Sequence, residues 1–214
     1  ELVKRLTMYK LRADVTIADA SDDYNFLALW GPHACSSGET IGTIAYPDPR
    51  HPQLGLRILA ESRFAIDIAG VKATPEDYHA HRISLGIPEG GKDFAFGDTF
   101  PHEACMDQLN GVSFTKGCYV GQEIVSRMEH RGTARKRIVP IVGEAPLTSG
   151  AEVKAGDVSI GSVGSVAGNR GLAMIRLDRA HEFESNGIGL TAGGTPVRIK
   201  LPAWARFRLA PAAH

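Results

Sequence analysis

Residues 151–168 read AEVKAGDVSIGSVGSVAG, a series of short β-type runs that glycine interrupts every few positions. The flanking stretches have the same character: RKRIVPIVG at 135–143, GLAMIRL at 171–177 and TPVRIKL at 195–201. Short strands with glycine-rich turns and little helical periodicity are typical of small β-barrels. The sequence therefore predicts a barrel over residues 136–214. It also predicts that IGSVGS (160–165) is a barrel turn, because the G-x-G-x-x-G spacing of a dinucleotide fingerprint is lacking.

Residues 1–135 mix helical and strand patterns. A helix is predicted at 1–10, and strands are predicted at 13–20 (ADVTIADA), 24–30 and 54–61. A second helix is predicted from an N-cap at Thr74, through Pro75, to a stop at Gly86. A long loop (89–104) and a short helix (104–114) follow. The fold class predicted is therefore α+β, with one domain over 1–135 and the barrel over 136–214.

Composition excludes some classes of protein. The 24 Lys and Arg residues balance 24 Asp and Glu residues, so no global basic field favours nucleic acid. No run is long and apolar enough for a membrane helix, and no signal pattern opens the chain. Three cysteines without CxxC spacing fit a reducing compartment better than a disulfide framework. The chain opens at Glu1 in a helix-like ELVKRL, typical of a chain that lacks its natural N-terminal part.

The segment TKGCYVGQEIVSR (115–127) holds the candidate functional residue, Cys118. Glycines on both sides allow a tight turn, and a helix is predicted from Gln122 to a stop at Gly132. The positive helix end and the charge of Lys116 both favour a thiolate. Glu123 is expected to cap backbone N–H groups at the helix start. Three interpretations of Cys118 remain: a packed side chain, a ligand of a shared cluster and a nucleophile. No metal site and no catalytic histidine are predicted, and Cys35 and Cys105 are expected to be structural.

Five Arg or Lys residues lie between Arg127 and Arg137. One interpretation is a solvated helix end with cations near its C-terminus. The other is an anion patch for a polyglutamate tail or an RNA backbone. The aromatic residues of a nucleic-acid platform are lacking, which weakens the RNA version.

KGCYVGQE, with the following Arg127 and the pair Arg131–Gly132, resembles the signature of the YgfZ family. These are folate-binding relatives of the glycine-cleavage T-protein that act in iron–sulfur protein maturation. YKLRADVTI, HRISLGIPEGGKDF and the glycine-rich barrel stretch support the resemblance. It implies a T-protein-like folate-binding region closed by a barrel, and tetrahydrofolate, with or without a polyglutamate tail, as ligand. It also implies a cytoplasmic location, and that half of the folate pocket precedes this chain.

The resemblance assigns roles residue by residue. Cys118 and Lys116 become the chemical centre. The residues expected to bind the cofactor are Glu103, Tyr119, Gly121, Gln122, Glu123 and Arg127. A carboxylate at Glu103 suits the aminopyrimidine edge of a pterin, since it can accept two hydrogen bonds. A helix-capping role for Glu103 is the alternative.

The resemblance implies an accessory protein for the assembly or repair of iron–sulfur proteins, rather than a classical enzyme. Its expected partners are folate and iron–sulfur clients, including tRNA-modifying enzymes, with transient contact to a cluster. No direct nucleic-acid partner and no membrane are expected. The alternatives are a folate-dependent one-carbon transferase and a folate-binding module without chemistry. A T-protein-type transfer needs no thiol, so Cys118 discriminates between these hypotheses.

Overall fold

The structure is a computed structural model that describes residues 1–32, 38–40, 42–64, 70–131 and 134–209. At residues 38–40 and at Arg131 it describes the backbone but not the side chains. The chain divides into two compact units. One comprises residues 1–48 and 52–71, and the other comprises residues 49–51 and 72–214. The predicted boundary at 135/136 coincides with the start of the barrel, whereas the compact unit that holds the barrel already includes residues 72–135.

The first unit is a small antiparallel sheet preceded by a helix. The elements are α1 (Leu2–Lys10), β1 (Tyr24–Leu29), β2 (Gly38–Thr40), β3 (Thr43–Pro47) and β4 (Leu56–Glu61), with 3-10 helices at Ser21–Asp23 and Pro52–Leu54. The strands pair in the order β1-β4-β3-β2, and alternate β4 residues are buried, as the two-residue period of a strand requires. The predictions of an N-terminal helix and of strands near 24–30 and 54–61 are confirmed.

The strand predicted at 13–20 is wrong, since these residues are irregular. Val15, on the apolar face of the expected alternation, is 49% exposed. The Asp19 carboxylate accepts hydrogen bonds from the backbone N–H and the hydroxyl of Ser21, at 3.1 and 2.6 Å. Such local side-chain bonds compete with strand pairing, and here they lead the chain into a 3-10 helix.

The second unit begins with α2 (Pro75–Leu85), whose predicted ends are confirmed. Thr74 and Asp77 form a reciprocal capping box: the Thr74 hydroxyl accepts from the Asp77 N–H, and the Asp77 carboxylate accepts from the Thr74 N–H. Gly86 ends the helix in the left-handed conformation. The helix is therefore specified locally at both ends.

The predicted α+β class with a C-terminal barrel is confirmed. The elements after α2 are α3 (Gln122–Arg131), β5 (Lys136–Gly143), β6 (Glu152–Ala155), β7 (Val158–Ala167), β8 (Arg170–Arg176), α4 (Leu177–Ser185), β9 (Leu190–Ala192) and β10 (Thr195–Ile199). Six antiparallel strands close in the order β10-β5-β8-β7-β6-β9 around an aliphatic core. IGSVGS lies inside β7, so its assignment to a turn is wrong. Gly161 is needed because a Cβ there would lie 2.0 Å from the Met174 carbonyl oxygen on β8.

A buried ion pair fixes α2 and the following loop to the barrel. The Arg82 guanidinium is fully buried and donates to Asp93 Oδ2 at 2.7 Å and to Ser165 Oγ, on β7, at 2.6 Å. Asp93 Oδ1 accepts from the Ser165 N–H at 2.7 Å. The long loop predicted at 89–104 is present, and this part of it is structural.

The short helix predicted at 104–114 is replaced by consecutive turns over 101–110. Cys105 and Asn110 both have a φ of +58°, in the left-handed region that interrupts a right-handed helix. The turns place Ala104 in a small apolar cluster with Ile83, Ile138 and Leu172. This turn region consequently packs against the barrel, beside the candidate site.

Candidate functional site around Cys118

Cys118 lies in an exposed loop just before the helix predicted from Gln122, which is present as α3 (Gln122–Arg131). Gly117 and Gly121 have φ values of +90° and +87°, which side chains rarely adopt. The two glycines thus provide the turns on either side of the thiol, as expected from the sequence. The predicted helix stop at Gly132 lies outside the described residues, as does Cys35.

Backbone and side-chain bonds between Tyr119 and Gln122 hold the loop to the helix. The Tyr119 N–H donates to Gln122 Oε1, and the Gln122 N–H donates to the Tyr119 carbonyl, both at 3.2 Å. Val125, one turn into the helix, is buried and anchors it. Gln122 therefore sets the geometry of the loop that presents Cys118.

The charged residues of the motif have partners that the sequence did not indicate. The Lys116 ammonium lies 5.6 Å from the centre of the Tyr119 ring, a cation–π contact. Glu123 forms an ion pair with Arg127 one turn along α3, and both side chains are mostly exposed. The Glu123 carboxylate thus has a partner one turn along α3, and its expected role as a helix cap stays a prediction.

A groove of about 420 Å³ lies beside α3. Its floor combines apolar side chains with one carboxylate and three cations. Glu103 Oε2 accepts the Phe100 N–H at 3.1 Å, so Glu103 also caps its own turn. The lining residues are Phe100, Glu103, Ile124, Met128, Arg135, Lys136 and Arg176.

The basic side of the groove carries a net positive charge. Arg176 is paired with Asp178 at 2.7 Å, and this pairing lowers the pKa of the Asp178 carboxyl below its usual range. Arg135 also favours the ionised form of Asp178. Arg135 and Lys136 belong to the basic segment found in the sequence, so part of that segment faces the groove and not only bulk solvent. The side chain of Arg131 lies outside the described residues.

A second cavity, of about 330 Å³, lies behind the Cys118 loop. It brings together Tyr119 and Gln122 of the motif. Gly121, Glu123 and Arg127 line neither this cavity nor the groove, so only Glu103 among the predicted cofactor residues lies in the groove. The lining residues of the second cavity are Ser113, Phe114, Gly117, Tyr119, Gln122, Ser126, Glu129 and His130.

A buried ion pair between Arg137 and Asp107 links the turn region to β5. Two bonds of 2.8 and 2.9 Å join them, and Arg137 also donates to the His102 carbonyl at 2.7 Å. Burial alone would raise the pKa of Asp107, but the hydrogen bonds and charge of Arg137 outweigh it and hold that pKa below its ordinary value. The Arg137 guanidinium also lies over the Phe207 ring at 4.5 Å.

Cys105 is fully buried, in agreement with the structural role expected for it. Its thiol donates to the Ile138 carbonyl at 3.3 Å. Burial raises the pKa of Cys105 to about 11, so the thiol stays protonated and unreactive at neutral pH. Of the two cysteines that the structure describes, only Cys118 is accessible.

His102 is a functional candidate that the sequence did not single out. Its side chain is 1% exposed, its Nε2 lies 3.1 Å from Glu129 Oε2 on α3, and its ring lies 6.3 Å from that of Phe114. One ligand atom from each of His102, Asp107 and Glu129 lies within 4.8 Å of the others. Sequence spacing gives no signal of this cluster, because Glu129 reaches it from a helix 27 residues further on.

The fold and the site together define the class of protein: an α+β chain with an accessible cysteine in a glycine-bounded loop, followed by a closed six-stranded barrel. Residues 135–207 match the model of the CAF17 C-terminal beta-barrel domain. The chain is also similar to proteins named iron–sulfur cluster assembly factor IBA57. With the human protein it is 36% identical, over 81% of this chain and 52% of the relative.

Two further relatives carry the same name. The mouse protein is 35% identical over 82% of this chain and 53% of its own length. The homologue of Chaetomium globosum is 33% identical over 98% of this chain and 63% of its own length. The chain is thus similar to proteins of the IBA57 type, and its C-terminal part is similar to the CAF17 barrel domain. It spans about half the length of the curated relatives it matches.

These names correct one prediction. The relatives are named mitochondrial, which contradicts the cytoplasmic location that the YgfZ resemblance implied. The cysteine usage indicates a reducing environment, but it does not tell one reducing compartment from another. Within the described residues, the longest helices fall short of what a membrane crossing requires.

Proposed function

We propose that this chain is part of a mitochondrial accessory protein that assembles or repairs iron–sulfur proteins, binds tetrahydrofolate and uses Cys118 as its functional thiol. The observation that carries the proposal is the exposure of Cys118 within KGCYVGQE, in a chain whose relatives are named iron–sulfur cluster assembly factors. An exposed thiol on a loop that Gln122 holds to α3 can reach a cluster shared with a client protein.

The groove beside α3 suits a reduced folate. Its volume of about 420 Å³ lies within the range of small-molecule sites. Phe100, Ile124 and Met128 would contact the flat rings, and Glu103 would accept hydrogen bonds from the pterin edge. Arg135 and Lys136 carry the charge that a glutamate tail requires. The residues present therefore fit the ligand that the family resemblance implies.

The folate part of the proposal is tested by calorimetry on the full-length protein. We expect a reduced folate to bind, with an affinity that rises with the length of a polyglutamate tail and falls with added salt. Glu103→Gln should weaken binding, because an NH2 donor replaces one of the two acceptor oxygens that face the pterin, whereas the exposed Glu144→Gln should not. No heat at millimolar ligand, or equal affinity in Glu103→Gln, would contradict this part.

The assembly part is tested in cells that lack the native protein. We expect the full-length protein to restore the activity of iron–sulfur enzymes and to fractionate with mitochondria. A cytosolic distribution, or restored growth without restored iron–sulfur enzyme activity, would contradict it. A one-carbon transferase needs the folate groove but no thiol, so loss of support on removal of Cys118 would count against that alternative.

A further inference from the structure

We propose that His102, Asp107 and Glu129 form a binding site for one divalent first-row transition-metal ion. The inference does not rest on the proposed function, because none of these residues belongs to the KGCYVGQE motif. One ligand atom from each residue lies within 4.8 Å of the others. The set of one imidazole and two carboxylates suits Zn²⁺, Fe²⁺ or Mn²⁺ better than Mg²⁺ or Ca²⁺, which prefer oxygen ligands alone.

A second observation at the same residues points to a ligand. His102 is 1% exposed, and its Nδ1 is the one buried side-chain nitrogen or oxygen among the described residues that lacks a hydrogen-bond partner. Leaving such a group unsatisfied costs about 1–3 kcal/mol, so buried polar atoms without partners are rare. Nε2 faces the Glu129 carboxylate, so Nδ1 is the nitrogen of this buried imidazole that no described protein group satisfies, and an ion bound to Nδ1 would satisfy it.

The distances are compatible with coordination. Ligand atoms about 2.05 Å from a tetrahedral zinc lie about 3.3 Å from each other. The three ligand atoms lie within 4.8 Å of one another, so shifts of about 1.5 Å bring them to this spacing. Glu129 is 44% exposed on α3 and can make such a shift. Because Glu129 also lines the second cavity, an ion can reach the site from there.

Asp107 retains the capacity to bind a cation despite its ion pair. Its Oδ2 accepts from both Arg137 and Gln108, at 2.9 and 2.7 Å, while Oδ1 accepts only from Arg137 among the described contacts. Each carboxylate oxygen has two lone pairs, which leaves one on Oδ1 for a metal. Arg137 then acts as the partner that orients a ligating carboxylate.

The net charge of the site determines how tightly it is expected to bind a metal ion. Two carboxylates and the Arg137 guanidinium sum to one negative charge, so a divalent ion leaves the site with one positive charge. Arg137 therefore opposes the ion, and we expect binding that EDTA reverses rather than a closed structural centre. Three protein ligands leave at least one position for water.

The test is calorimetric titration of the EDTA-treated chain with Zn²⁺, in a Cys35→Ser/Cys118→Ser background that removes competing thiols. The visible spectrum with Co²⁺ reports on the ligands. We expect one ion per chain and no saturable Mg²⁺ binding. Glu129→Gln should weaken the affinity at least about 10-fold, because it removes a ligand from an exposed position without disturbing the core.

The exposed Glu184→Gln on α4 is the matched control and should bind Zn²⁺ like the parent. His102→Gln should also lose binding, and its melting temperature shows whether it still folds. The proposal would be overturned by an absence of saturable Zn²⁺ binding, by unchanged binding in Glu129→Gln, or by loss of binding in His130→Ala but not in His102→Gln. The last result would place the ion on His130, which lines the second cavity, instead.

Discussion

Replacing Asp107 by Asn tests whether the buried ion pair with Arg137 holds the turn region to the barrel. The side chains of Asp107 and Arg137 are 1% and 8% exposed. Removing one partner of a buried pair costs about 3–5 kcal/mol, because the other charge stays buried without compensation. Asn keeps one acceptor for Arg137, and the Phe207 ring still faces the guanidinium. We therefore expect a loss of about 3 kcal/mol.

The assay is urea unfolding in EDTA, followed by a probe in the barrel. Asp178→Asn is the control, because the Asp178 pair with Arg176 is partly exposed and such pairs contribute about 0–1 kcal/mol. The double variant Asp107→Leu/Arg137→Met should recover most of the stability, since apolar replacements leave no buried charge. A loss below about 1 kcal/mol for Asp107→Asn would refute the reasoning.

Three further outcomes are expected. Because the pKa of Asp107 is lowered in the folded protein, its carboxylate stabilises the fold above the unfolded pKa of about 3.9, and this contribution is lost as pH falls from there through the folded pKa. The free energy of unfolding should therefore depend less steeply on acidic pH in Asp107→Asn than in the wild type. Iodoacetamide at pH 8 should label Cys118 in the native protein and Cys105 only after unfolding, which peptide mapping shows. Gly161→Ala should lower the melting temperature, by a loss of about 1–3 kcal/mol, whereas Gly189→Ala, with open space around it, should not.

Features with local causes could be predicted from the sequence. The α2 helix follows from Thr74, Pro75 and Gly86, whose capping preferences act within a few residues. The Cys118 loop follows from the backbone freedom of Gly117 and Gly121. The barrel follows from many short glycine-separated runs, although the place of Gly161 inside β7 depends on its close approach to a neighbouring strand.

Features that depend on distant partners could not be predicted. His102 and Glu129 are 27 residues apart, and Asp107 and Arg137 are 30 apart. Neither pair follows a helical or strand period that would bring its members together. The left-handed conformation of Cys105, a non-glycine residue, also has no local sequence signal. A left-handed residue interrupts a right-handed helix, and so the helix expected there does not form.

The central claim is that Cys118 is the functional thiol, and complementation with Cys118→Ala tests it most directly. The exposed side chain contributes little to stability, so we expect the variant's melting temperature and folate affinity to match the wild type. Cys105→Ala is the matched control, because it removes a thiol that is buried rather than exposed. In cells lacking the native protein, Cys118→Ala should fail to restore iron–sulfur enzyme activity, while Cys105→Ala should restore it as far as its stability allows. Full restoration by Cys118→Ala would contradict the account.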